Sequence, residues 1–273
     1  MATATEDKDN SEPDMVYTKE LRAATKDVHK LSDVLVNAKF AFALSDDSVW
    51  ADGLLSFYEI YKFLENNLNE DLLPKELHRT KEFEKDFHYF LGEDWRDTYE
   101  IRPAVQKYLE HLEEVNKKSK ILLFAYAYQM YMALMSGGQL LQKKRMMARK
   151  LWPNKQENIQ EQIESEKPTN PDDLTTRPMP LQVPICPDGC AATYFPEKIS
   201  DLKAKLRTIL SKHYGNFDEK TKTDFIEESR NVFIYNSDVV RSVKGVNRAN
   251  MRKLAIVVMF FVSIYFAIKL VRQ

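Results

Sequence analysis

Residues 128–144 read YQMYMALMSGGQLLQKK, a run of Tyr, Met, Leu, Ala and Gln with helical character throughout except at the adjacent Gly137 and Gly138. Each glycine inside a helix gives up about 1 kcal/mol relative to alanine, so the pair sacrifices about 2 kcal/mol and needs a physical reason. Close approach supplies one: a helix lacking Cβ atoms at two neighbouring positions can bend and lay its backbone against a flat ligand. A tight helix crossing or a helix end would use glycine as well. On any of these readings the surrounding pattern predicts a long helix from about Lys120 to Lys150 with an irregularity at 137–138, in a mainly α chain.

The flanks agree. Leu21, Ala24, Val28, Leu31 and Leu35 recur at intervals of three and four, which predicts an amphipathic helix over about 18–37 with Thr18 as its N-cap. The run LLSFYEIYKFLENNL centres a second helix over about 50–67, and Pro74 forbids its continuation. Further helices are expected at about 74–90, 103–116, 196–213 and 218–240, with short connections that imply packed neighbours. Only seven glycines and 44% hydrophobic residues in 273 suit one helical domain around one substantial core. The stretch 153–196 departs from this pattern, with prolines from Pro153 to Pro196, many Asp, Glu and Thr, and little apolar periodicity, so it reads as a long excursion.

Forty basic residues against forty-one acidic ones leave no global field that would recruit nucleic acid. Cys186 and Cys190 are too few for a secreted disulfide framework and fit a reducing compartment. They could be inert, form a redox pair or join a metal site. Residues 1–16 are polar and acidic, which predicts a disordered lead-in without a secretory signal or transit peptide. At the other end, 254–271 reads LAIVVMFFVSIYFAIKLV, whose one charge, Lys269, is near enough to the far end to snorkel. This is expected to be a transmembrane tail anchor. Arg241, Lys244, Arg248, Arg252 and Lys253 precede it, a basic linker over 241–253 that would keep the domain at 17–240 on the cytosolic side.

Two further constellations bear on chemistry. In ELRAATKDVHKLSD, residues 20–33, His29 lies one helical turn before Asp33 and two beyond Arg22. A neutral imidazole can ligate iron through one nitrogen while a carboxylate orients the other, although a surface histidine on a charged face fits the same pattern. In DLKAKLRTIL, Lys203 and Arg207 form an i, i+4 cation pair with no acid between them. Such a pair suits two carboxylates, or it is simply a solvated basic face.

The order of these signals, a histidine helix, a glycine-interrupted helix and a later basic helix, resembles the haem oxygenase family. The local wording is similar too: ATKDVH at 24–29, LPKELHRTKEFEKDF at 73–87, PAVQKYLEHLEEV at 103–115, SGGQLLQKK at 136–144 and FIEESRNVFIYN at 225–236. The resemblance implies an all-α domain with haem b sandwiched between a proximal and a distal helix. It implies His29 as proximal iron ligand with Asp33 behind it, and Ser136, Gly137 and Gly138 as the distal backbone. It places Lys203 and Arg207 on the propionates, and Arg22, Lys26 and Tyr128 at the haem edge. Phe233 becomes a wall residue, and Asn236 a polar contributor to the distal network. Haem would be both cofactor and substrate, opened by O2 to biliverdin, carbon monoxide and ferrous iron. Electrons would come from NADPH through a flavin-containing reductase, NADPH–cytochrome P450 reductase, with biliverdin reductase downstream, at the endoplasmic reticulum membrane.

Departures from the family pattern stand out. Ala133 and Leu134 occupy positions where the family has a glycine and an aspartate that organises distal water; a basic residue expected near Met130 is missing too, and the excursion at 153–196 is longer than usual. A leucine at 134 dries the pocket and loosens control of protonation, which implies slower turnover, relaxed regiospecificity, or both. The same change leaves open a haem-binding sensor or carrier with little turnover, and a tail-anchored adaptor without haem is a third reading. In the excursion, Cys186-Pro187 resembles short haem-responsive motifs.

Overall fold

The computed structural model describes residues 15–40, 43–151 and 188–271; 1–14 of the expected lead-in and most of the excursion, 152–187 with Cys186, lie outside the described residues, while Met15 and Val16, expected in the lead-in, begin a helix. The described residues are helical and contain no strand. In chain order they form α1 (Met15–Phe40), α2 (Asp47–Asn67), α3 (Thr80–Leu91), α4 (Pro103–Lys118), α5 (Lys120–Ala133), α6 (Gln139–Leu151), α7 (Ile199–Tyr214), α8 (Glu219–Ser242) and α9 (Val246–Val271).

Local chemistry sets most of these ends. Asp46 accepts the backbone N–H of Ser48 and Val49, Ser119 accepts that of Ile121, and Asp218 that of Thr221, so α2, α5 and α8 each begin at a side-chain cap. Pro103 opens α4, where its missing N–H costs nothing. Thr18 does not cap α1 as expected. The helix already runs from Met15, and Thr18 is buried at 3% exposure inside it. The helix expected over 74–90 begins only at Thr80, because Pro74 leads into a 3-10 turn, Lys75–Leu77. Glu65 of α2 then takes the N–H groups of Arg79 and Thr80 and the Thr80 hydroxyl, capping α3 from a different helix.

α5 is apolar on nearly every side and buries Leu122 through Tyr128, Met130 and Tyr131, so it runs through the centre with α2, α4 and α8 packed against it. Around it Tyr58, Phe83, Phe87, Phe124, Tyr108 and Phe225 fill the core, each contributing about 1.5–3 kcal/mol by leaving water. Arg145 of α6 is buried at 1% exposure between the Trp50 and Phe90 rings and bonds the Asp47 carboxylate and the Leu44 carbonyl. That contact ties α6 to the start of α2.

The basic stretch expected as a linker is helical from Val246 onward. After Val243 the chain turns at Gly245, whose φ of +77° favours glycine and whose missing Cβ would meet Val49 Cγ2 at 3.3 Å. Val246 and Ala249 then join Ala43, Val49 and Val243 in a small second apolar cluster under Phe40. Among the described residues no helix is long and apolar enough to cross a membrane. The run 254–271 includes residues 266, 267, 270 and 271, whose side chains lie outside the described set.

Candidate functional site

α1 and α8 run side by side in the same direction. Arg230 grips Asp27 with two bonds, of 2.7 and 2.8 Å, and Lys39 donates to the Arg241 carbonyl at 2.5 Å further along. Between these ties the His29 ring lies 5.2 Å from the ring of Phe233. His29 Nδ1 is 3.0 Å from Asp33 Oδ2, and the imidazole is still 55% exposed. An exposed pair of this kind adds little stability, but it fixes the ring's orientation. Nε2 has no hydrogen-bond partner among the described residues, which leaves one nitrogen oriented and available.

The glycine pair lies in a π turn, Leu134–Gly138, which separates α5 from α6 where one long helix is expected. A widened turn of this kind re-aims backbone without ending the helix, and such turns recur at functional sites. Met135 is buried while Ala133, Ser136 and Gly137 are exposed. A Cβ at Gly137 would meet nothing within 4 Å, whereas one at Gly138 would come within 3.1 Å of Leu134 Cδ1. Leu134 therefore lies across Gly138. Asn236 of α8 donates to Met130 Sδ at 3.3 Å, and its Oδ1 is buried without a partner.

Four of the five residues expected at the propionates and the haem edge form one group drawn from three helices. Tyr128 is buried, and burial pushes its hydroxyl up, opposed by nearby Arg207 and Arg22 and by a hydrogen bond with Thr18. Burial likewise lowers the Lys203 ammonium, and Arg207 and Arg22 lower it further. Arg207 Nε is buried with no hydrogen-bond partner. Exposed Arg22 and half-buried Lys203 and Arg207 thus gather like charge at one edge, an arrangement that an arriving anion would relieve. Lys26 is exposed on α1 and takes no part in this group.

Sequence reasoning missed two contributors here. Thr18 is the buried partner of Tyr128, and Lys144 of α6 donates to Asn37 of α1 at 2.9 Å, bridging the helices of the two faces. Lys144 stands in the quoted glycine-containing run, but a surface lysine carries no mark of its partner. Among the described residues no three His, Cys, Asp or Glu side chains gather to hold a bare metal ion. An iron on His29 would have to bring its own equatorial ligands, as a porphyrin does. The orphaned Arg207 Nε, the open space beside Gly137 and the oriented imidazole fit such a group. Cys190 is buried, and burial raises its thiol, which suits an inert packing residue rather than a reactive thiolate.

A family model described as heme oxygenase matches residues 15–242, a span that contains every site residue above. The chain belongs to the haem oxygenase family. Heme oxygenase 1 of Homo sapiens is 34% identical over 136 residues, covering 45% of this chain and 46% of that protein. The match therefore spans under half the length of the curated relative. Two solved structures share the fold. Heme oxygenase 2 of Chlamydomonas reinhardtii, solved without heme, has a TM-score of 0.64 at 24% identity and covers 83% of this chain and 96% of its own. Heme oxygenase-1 of the cyanobacterium Synechocystis, in complex with heme, has a TM-score of 0.62 at 20% identity and covers 90% and 98%.

Proposed function

We propose that this member of the haem oxygenase family opens haem to biliverdin, carbon monoxide and ferrous iron, using O2 and electrons from NADPH through a reductase. The observation that carries the reading is an oriented, half-exposed imidazole on α1, the helix that the Lys144–Asn37 bond links to α6 beside the glycine turn and whose Arg22 joins Lys203 and Arg207 in a cation group. Bound haem supplies the iron at which oxygen is reduced and the ring carbon that is oxidised. The chain supplies position. His29 holds the metal through Nε2 while Asp33 keeps a proton on Nδ1. Arg22, Lys203 and Arg207 clamp the propionates, with Tyr128 at the same edge, and this sets the ring's rotation and therefore which edge faces the interior. Gly137 and Gly138 let backbone approach the distal face, and Ser136 and Asn236 offer hydrogen-bonding groups beside it.

Leu134 supports a finer reading. Lying across Gly138, it places a hydrocarbon where the family pattern has a carboxylate, so distal water is less ordered and regiospecificity relaxes. The same observation favours the second reading, a haem-binding sensor or carrier with little turnover. A membrane anchor at 254–271 is supported by exposed Leu254, Ile256, Val258, Phe260, Phe261 and Tyr265 on one continuous helix. The exposed Arg241, Lys244, Arg248 and Arg252 before them support a cytosol-facing domain, and the endoplasmic reticulum is proposed on the family resemblance alone.

Titration of the purified full chain in detergent with hemin tests the first step: a Soret band is expected for the wild type and its loss for His29→Ala. A wild type that stays colourless sinks the proposal. With oxygen and a reductase, bilin formation with carbon monoxide release is expected; a stable, unconverted haem complex selects the sensor reading.

A further inference from the structure

Behind the distal turn lies a buried carboxylate that the site as described does not use. Asp86 of α3 is 1% exposed, and its two oxygens accept the N–H groups of Ala191 and Ala192 at 2.8 and 2.9 Å. Those amides open a 3-10 turn, Ala191–Thr193. The buried Thr193 hydroxyl donates to Gln142 of α6 at 2.6 Å, and Gln139, the residue after Gly138, donates to the Thr193 carbonyl. Arg79 secures the far end by donating to the Tyr194 carbonyl at 2.5 Å and lying 4.3 Å over the Phe195 ring. Residues 190–195 are thus a strap between α3 and the glycine turn, held to the first by Asp86 and Arg79 and to the second by Gln139.

We infer that Asp86 is a positioning residue: through the strap it fixes where the backbone of Gly137 and Gly138 stands, and so how closely that backbone meets the haem. The inference rests on the haem-binding reading above. Within the π turn Met135 is buried in the core, but the glycine end offers no side chain for neighbours to grip: a Cβ at Gly137 would meet nothing within 4 Å, and one at Gly138 only the flexible Leu134 side chain and the Ala133 carbonyl. What packs behind that glycine end therefore helps to set where its backbone stands. A carboxylate suits the task because two oxygens can hold two successive amides at once.

The energetics agree that the charge is kept for geometry. Burial pushes the Asp86 carboxyl up to about 6, although the Ala192 and Ala191 amides pull it down. Glu82 on its own helix raises it further and Arg145 on α6 lowers it, while Cys190 on the strap feels the same charge. A carboxyl raised in the fold contributes stability that is full below its unfolded value and is lost as pH rises through about 6. At neutral pH its ionised form is a cost, so removing the charge should not destabilise the whole chain.

Asp86→Asn is nearly isosteric but offers one acceptor where two are used. In the haem-free full chain, amide hydrogen exchange is expected to speed up by about tenfold at 191–192 and also at 137–139, with the melting temperature unchanged or raised. Faster exchange confined to 191–192 would overturn the inference. Should Asp86→Asn fail to fold, Gln139→Ala removes the strap's bond nearest the turn while leaving Asp86 and the Thr193–Gln142 bond in place. It is expected to speed exchange at 137–139 alone, and unchanged exchange there overturns the inference equally. In the haem-loaded chain both variants should move the ferric Soret maximum in the same direction, and an unmoved maximum contradicts the positioning role. Because exchange is read without haem, a wild type that binds no hemin defeats the functional reading without deciding the strap's coupling.

Discussion

Gly137 and Gly138 stand side by side in sequence, yet a methyl group would mean different things at each. At 138 it would press on Leu134 at 3.1 Å; at 137 it would enter open space. Gly137→Ala should therefore stabilise the haem-free chain by about 0.5–1 kcal/mol, or about 2 °C, because alanine loses less freedom in a helical turn. The same methyl occupies the space proposed for the ring, so hemin affinity should fall by about tenfold, the cost of about 1.4 kcal/mol of overpacking. Thermal melts with and without hemin check both signs, and a parallel rise in both would place the ring elsewhere. Leu134→Asp tests the neighbouring side chain: a carboxylate should quicken turnover and concentrate the product in one bilin isomer. If neither the rate nor the isomer ratio changes, Leu134 is not what loosens the distal site. At this scale much was legible. His29 with Asp33, the glycine pair and the Lys203–Arg207 pair were visible as local spacings. Thr18 behind Tyr128 and Lys144 across Asn37 were not, because their partners lie more than a hundred residues away and no periodicity marks such a contact.

Helices were the most legible elements, since their apolar stripes recur at intervals of three and four regardless of what they pack against. Their irregular ends were harder to read. The start of α3 moved to Thr80 because Glu65, on another helix, caps it, and the break between α5 and α6 became a π turn because the chain continues helically on both sides. Between elements, polar networks set the register. His111 of α4 lies 2.7 Å from the Tyr126 hydroxyl of α5 and 3.0 Å from Glu228 of α8, which also accepts from Tyr126 at 2.6 Å. Burial alone would raise the Glu228 carboxyl, but hydrogen bonds from His111, Tyr126 and Asn231 outweigh it and hold the group below its usual range. A depressed carboxylate contributes stability that is present above its unfolded pKa and is lost as pH falls through its folded value. Glu228→Gln should cost about 1–2 kcal/mol at neutral pH by weakening these bonds. It should also flatten the acid limb, so that variant and wild-type melting temperatures converge between about pH 5 and pH 3. Parallel curves over that range would assign the acid sensitivity to other carboxylates.

Across the whole molecule, the least legible feature was the junction with the last helix. The residues from Arg241 to Lys253 read as a basic linker because their charges dominate the composition, whereas what fixes them is a few small or buried groups at helical spacing. Val246 and Ala249 pack against Ala43 and Val49, Asn250 donates to the Lys39 carbonyl at 3.3 Å, Arg252 reaches Asp46 at 3.2 Å, and Lys253, 5% exposed, bonds the Ser45 hydroxyl. The helix that carries the apolar run is thus clamped to the α1–α2 connection, and α1 is the helix that presents His29. A soluble form cut at about residue 245, which a linker would permit, removes this clamp. Leaving the α1–α2 connection uncovered should cost about 2 kcal/mol from the lost burial of Val246 and Ala249 alone. A form ending at 253 keeps every one of these contacts and should melt with the full chain. Urea unfolding of the two truncations decides the point: a midpoint clearly lower for the shorter form is expected, with hydrogen exchange quickened at 39–49. Equal midpoints would mean that the first turns of α9 rest on the domain without stabilising it.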